Sequence, residues 1–117
     1  MPLRDQQRAL HAYDAVAQVQ AGQQKDYQIA VNDLGASILR SGLCAAIASV
    51  QRLGNRGEVL LDHLASAGVP GLEGATAQNL AQRVRGLDAE SYMLATRELL
   101  QVATWLKRAV QATFGET

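Results

Sequence analysis

Apolar residues recur at helical intervals along almost the whole chain. Tyr27, Val31, Leu34 and Ile38 follow one another at steps of four, three and four, which places their side chains on one face of an α-helix. This predicts a helix over about residues 25 to 41, with Asp33 and Arg40 off its stripe. Ser41-Gly42 interrupts the run, and Leu43, Ala46, Ile47 and Val50 begin another helix that reaches about Leu53. Ahead of these, residues 3 to 21 form a first helix with Leu10, Tyr13, Val16, Ala17 and Gln20 near its core side. Arg4, Arg8 and His11 share another side, and Gly22 ends the helix.

Gly54-Asn55-Arg56-Gly57 is a turn, with Asn55 placed to cap a fourth helix and Glu58 placed to bond back to it. Leu60, Leu61 and Leu64 supply that helix's buried face until Gly68, its expected C-terminal cap. The stretch from Gly68 to Gly74 has loop chemistry and is expected to be a mobile linker. A short helix over about Thr76 to Arg85 follows, stopped by Gly86, and Asp88 is placed to cap the last helix. That last helix has the strongest pattern. Tyr92, Ala95, Leu99, Val102, Leu106, Ala109 and Thr113 keep an unbroken alternation of three- and four-residue steps. Glu90, Arg97, Gln101, Thr104 and Arg108 collect on its opposite side, with Trp105 at one edge of the apolar stripe and Lys107 at the other. No stretch alternates as a strand would, and no internal repeat appears. The expected fold is all-α: one domain over residues 1–117, a compact bundle of about five to six helices with a long C-terminal helix.

Composition supports that expectation, since the chain is 48% hydrophobic but only 4% aromatic, the signature of helices built on alanine, leucine and valine. Eleven basic and eleven acidic residues cancel, so no long-range field draws the chain to nucleic acid or to an anionic membrane. Contact with RNA would have to come from a local basic patch, and the free chain should not bind tightly by itself. Cys44 is the sole cysteine, which excludes an intrachain disulfide, and its apolar neighbours suit a small buried side chain. The first residues lack the apolar run of a signal peptide, and no stretch approaches the roughly 20 apolar residues of a membrane span. A cytoplasmic location is expected.

The inventory for catalysis is thin. His11, His63 and Cys44 are scattered, with no pair at the close spacing of a zinc site. Neither histidine stands in a recognisable catalytic motif, and His63 suits a partly buried position on its helix. The glycines between 68 and 74 lack the Lys-Ser/Thr pair of a phosphate loop. No catalytic residue, metal or cofactor is therefore expected. Arginines on a helix are commonly just solvated. Arg97, Thr104, Lys107 and Arg108 near Trp105, and Arg40 before a helix break, nevertheless combine charge with hydrogen-bonding and stacking groups that suit a nucleic-acid backbone.

Two segments carry a family resemblance. One is Leu34-Gly35-Ala36-Ser37-Ile38-Leu39-Arg40-Ser41-Gly42-Leu43-Cys44-Ala45-Ala46-Ile47; the other runs from Ser91-Tyr92-Met93-Leu94-Ala95-Thr96-Arg97-Glu98-Leu99-Leu100 to Thr104-Trp105-Leu106-Lys107-Arg108. With Arg8-Ala9-Leu10-His11-Ala12-Tyr13, they resemble the small subunit of the Cmr complex, the type III-B CRISPR effector. The resemblance implies a helical, non-catalytic protein that packs in tandem copies inside a ribonucleoprotein. Its partners would be the repeated backbone subunits, the large polymerase-like subunit, neighbouring copies of itself, and guide RNA paired to target RNA. It implies Arg40, Arg97, Lys107 and Arg108 as candidate RNA-backbone contacts, with Arg4 and Arg8 as further candidates. The chain departs from lysine-rich members in having only Lys25 and Lys107. Two alternatives stand beside this one: a generic helical module whose arginines meet acidic protein surfaces, and the small subunit of another CRISPR effector type.

Overall fold

Gly42 divides the longest apolar run of the chain. Its φ of +90° lies where only glycine is unstrained, so α2 stops there and α3 leaves in a new direction. The computed structural model describes residues 3–114; Met1 and Pro2 of the stretch read for a signal peptide, and residues 115–117 of the expected domain, lie outside them. It has six α-helices: α1 (Arg4–Ala17), α2 (Gln24–Ser41), α3 (Leu43–Arg52), α4 (Asn55–Ala65), α5 (Leu80–Arg85) and α6 (Ala89–Thr113). A short 3-10 turn, Ala21–Gln23, joins the first two. Among the described residues there is no strand, so the all-α bundle with a long C-terminal helix is what forms.

The α6 helix is the spine. It packs against both α1 and α2, while α3 and α4 pack against α2 and against each other, and α5 packs on α3. The rings of Tyr27 and Phe114 lie 6.3 Å apart and the Cys44 amide donates to the Tyr92 hydroxyl at 3.0 Å, so α2 runs antiparallel to α6. One hydrophobic cluster draws residues from all six helices, with Leu34, Leu43, Ile47, Leu60, Leu64, Leu80, Leu99 and Leu106 enclosed by it. Burying such aliphatic side chains is the main favourable contribution to folding, about 1.5–3 kcal/mol each. Gly57 is buried where α4 begins against the end of α3. An added Cβ there would overlap the Val50 carbonyl oxygen.

The stripe of α2 is buried as its spacing predicts. Asp88 caps α6 by accepting from the Ser91 amide at 2.8 Å. Several sequence expectations change. On α1 the buried residues are Ala12, Ala15 and Val16, while Leu10 and Tyr13 are exposed at 61% and 41%. The face of α1 that is buried carries alanine and valine, and the helix packs mainly against α6, leaving its larger apolar residues outward. The helix also ends at Ala17, before Gly22. Gly54, with φ of +62°, stands at the N-cap of α4, and Asn55 is its first residue without a side-chain cap. Glu58 instead accepts from the Gln78 side chain at 3.0 Å. At the C-terminus of α4, Ser66 takes the capping position in place of Gly68. Thr113, placed on the core stripe of α6 by its spacing, is exposed.

The segment from Gly68 to Gly74 is anchored instead of serving as a linker. Val69 and Leu72 are buried, and Arg83 donates to the carbonyls of Glu73 at 2.8 Å and Gly71 at 3.4 Å. The short helix predicted from Thr76 begins with turns, where Thr76 and Asn79 bond reciprocally through side chain and amide, and its regular part is Leu80–Arg85.

Candidate nucleic-acid and protein contact surfaces

The six arginine and lysine candidates fall into three places. Arg40 is exposed in the last turn of α2, where a cation also complements the helix dipole. Because α2 is antiparallel to α6, Arg40 stands near the start of α6, remote from Lys107 and Arg108. Arg97, Gln101, Thr104 and Arg108 form an exposed line on α6, and the rise per residue sets Arg97 and Arg108 about 16 Å apart. The Arg108 guanidinium lies 4.8 Å from the centroid of the Trp105 ring. This cation–π contact holds the side chain against the helix and leaves its outer edge open. Lys107 is exposed on the flank. Among the described residues, Arg40, Arg97, Lys107 and Arg108 form no salt bridge.

Arg4 and Arg8 are differently placed. Both reach across to α6 and meet Glu98. Arg8 binds that carboxylate with two nitrogens, Nε to Oε2 at 2.8 Å and Nη2 to Oε1 at 2.9 Å. Its Nη1 also pairs with Asp5 at 2.9 Å. Arg4 makes the longer contact, Nη2 to Oε1 at 3.2 Å. The Arg8 side chain is 17% exposed and Glu98 12%, so this fork-to-fork pair is shielded and clamps α1 to α6. Donation by Arg8 holds the Glu98 carboxyl below the usual carboxylate range, and the same bond raises the Arg8 pKa. The alternation of arginines on α1 was visible in sequence, but their partner on α6, some ninety positions away, carries no local signal.

Two buried or half-buried groups went unrecognised as partners. The Tyr27 hydroxyl and Nδ1 of His63 share a hydrogen bond at 2.7 Å, and the His11 Nε2–H donates to the His63 carbonyl at 2.9 Å. This joins α1, α2 and α4 at one point. Burial, with His11 adding to it and Asp62 opposing, lowers the His63 pKa to about 4, while burial raises that of Tyr27. Both groups are therefore neutral near pH 7. Among the described residues, no three His, Cys, Asp or Glu side chains come together to hold a metal ion, and no helix is long and apolar enough to cross a membrane. The second exposed surface is apolar: Leu10 and Tyr13 on α1, at 61% and 41% exposure, form an outward stripe, with Leu3 exposed just before the helix.

The chain belongs to the class of small all-α bundles, with arginines along the outside of one helix and apolar side chains outward on another. The comparisons place it within that class. The family model for the CRISPR-associated protein Cas_Cmr5 matches residues 4–113, and the chain belongs to that family, the small subunits of the Cmr effector. A solved structure of a CRISPR-associated Cmr5 family protein from Thermus thermophilus is 29% identical, with a TM-score of 0.82 over 95% of this chain and 97% of that one. No curated protein matches the chain.

Proposed function

We propose that this protein is a non-catalytic small subunit of a cytoplasmic type III-B CRISPR (Cmr) effector ribonucleoprotein, where it stacks in tandem and helps to hold the guide RNA–target RNA duplex for RNA silencing. The family match over residues 4–113 carries the assignment. The open arginine line of α6 supports an RNA-facing role for that helix, because guanidinium groups without protein partners are the ones available to phosphates. The apolar stripe of α1 supports a protein-facing role, for a neighbouring copy or a backbone subunit, because an exposed helical stripe of aliphatic and aromatic side chains gains free energy when covered. Arg40 is a third, separate backbone contact. A neutral chain binds weakly alone and effectively in an assembly, where several weak contacts act at high effective concentration.

The test is affinity purification from the native cell with mass spectrometry and RNA sequencing; absence of both a CRISPR backbone subunit and guide RNA refutes the assignment. Within the assembled complex, the double reversal Arg97→Glu with Arg108→Glu is expected to abolish crosslinking of the small subunit to target RNA. Unchanged crosslinking would favour a module whose arginines meet protein only.

A further inference from the structure

Arg4, Asp5 and Arg8 of α1 line one surface depression with Leu94, Arg97, Glu98 and Gln101 of α6. We propose that this depression is a binding site for one phosphate group, held by Arg4 and Arg97, and that Glu98 is its built-in competitor, occupying Arg4 until a phosphate displaces it. The proposal rests on the RNA-facing assignment of α6 for the source of that phosphate, a backbone phosphodiester, though the chemistry is shared with free phosphate.

The geometry separates a fixed arginine from an exchangeable one. Arg8 has committed all three guanidinium nitrogens, Nε and Nη2 to Glu98 and Nη1 to Asp5, at 2.8 to 2.9 Å. Its role is to hold α1 on α6. Arg4 reaches only Oε1, the oxygen already shared with Arg8 Nη2, at 3.2 Å from its Nη2 and 3.4 Å from its Nε. The Arg4 side chain is 47% exposed, and an ion pair so open to water is worth little. Exchange of Arg4 from one oxyanion to another is therefore inexpensive, and a phosphate offers the same planar edge of acceptor oxygens as a carboxylate.

Arg97 supplies the attraction. It is exposed, forms no salt bridge among the described residues, and stands in the same depression as Arg4. The three guanidinium groups outnumber the carboxylates of Asp5 and Glu98, so one positive charge stays uncompensated. Gln101, one turn beyond Arg97, adds a neutral amide donor, and Leu94 provides an apolar wall. Because Arg8 keeps the Glu98 carboxyl well below the usual range, the competitor is ionised throughout the neutral region.

The probe is inorganic phosphate titrated into the full 15N-labelled chain at low ionic strength, with the arginine Nε–H signals followed by NMR. Saturable shifts of the Arg4 and Arg97 signals are expected, with the Arg8 signal unmoved. Glu98→Gln should tighten phosphate binding about three- to tenfold, and Arg4→Gln, which leaves the Arg8 clamp intact, should weaken it at least threefold. Unchanged or weaker binding in a folded Glu98→Gln chain overturns the competitor. If that variant does not fold, unchanged binding in Arg4→Gln overturns the site. A 12-nucleotide RNA moving the same two signals identifies the backbone as the source; phosphate binding without RNA binding leaves a free-anion site and overturns the backbone source. Loss of crosslinking in the Arg97/Arg108 reversal together with unaltered phosphate affinity in Glu98→Gln would sink the competitor alone. Persistent crosslinking together with Glu98-tuned phosphate binding would sink only the RNA-facing assignment.

Discussion

At the scale of single residues, polar atoms at helix ends add to what the apolar core contributes. The Tyr92 hydroxyl accepts from the Cys44 amide and so satisfies one of the unpaired donors at the start of α3, a cap supplied by a helix distant in sequence. Tyr92→Phe should cost about 1 kcal/mol in urea unfolding, and an unchanged midpoint would show that water serves that amide as well. The burial of His63 predicts a dependence on pH. The unfolded chain protonates His63 as pH falls through 6.5, but in the folded chain its pKa is about 4. Its contribution is therefore complete above about pH 6.5 and is lost as pH falls towards 4. Since the ring is only partly shielded, the loss should be about 1–2 kcal/mol. His63→Gln should flatten stability across that window in denaturant titrations at several pH values; an equally steep slope would mean that His63 is not the group responsible.

At the scale of elements, α1 is the least conventional helix. It buries alanine and valine, turns leucine and tyrosine outward, and is held at its N-terminal end by the Arg8–Glu98 pair. Leu10→Glu with Tyr13→Glu should leave the free chain within about 0.5 kcal/mol of the original, as surface changes do, yet remove the subunit from the reconstituted complex. Leu99→Ala, at a fully buried position of α6, should instead cost about 2–5 kcal/mol. Thermal unfolding beside a pull-down separates the two. A large loss of stability from the α1 pair would mean that the stripe belongs to the core.

At the scale of the whole molecule, net charge of zero and a local line of arginines act on different quantities. The first removes long-range attraction, and the second sets how many phosphates are neutralised at contact. Reversing Arg97 and Arg108 in the assembled complex should reduce the slope of log affinity against log salt by about 1.5 to 2, since each lost phosphate contact removes close to one counterion. An unaltered slope would mean that neither guanidinium faces a phosphate.

What the amino-acid sequence determined by itself was local in origin. The spacing of Tyr27, Val31, Leu34 and Ile38, the break at Gly42, the Asp88 cap and the apolar stripe of α6 arise from helical periodicity and from backbone preferences of single residues, both of which act over a few positions. Family membership was likewise legible, because it rests on the order of side chains in two segments. The tertiary structure decided the rest. Which face of α1 turns inward depended on its packing against α6, and periodicity cannot distinguish a stripe that packs inside the chain from one left open. Whether an arginine is free or committed depended on a carboxylate ninety residues away at Glu98, and only folding brings such pairs together.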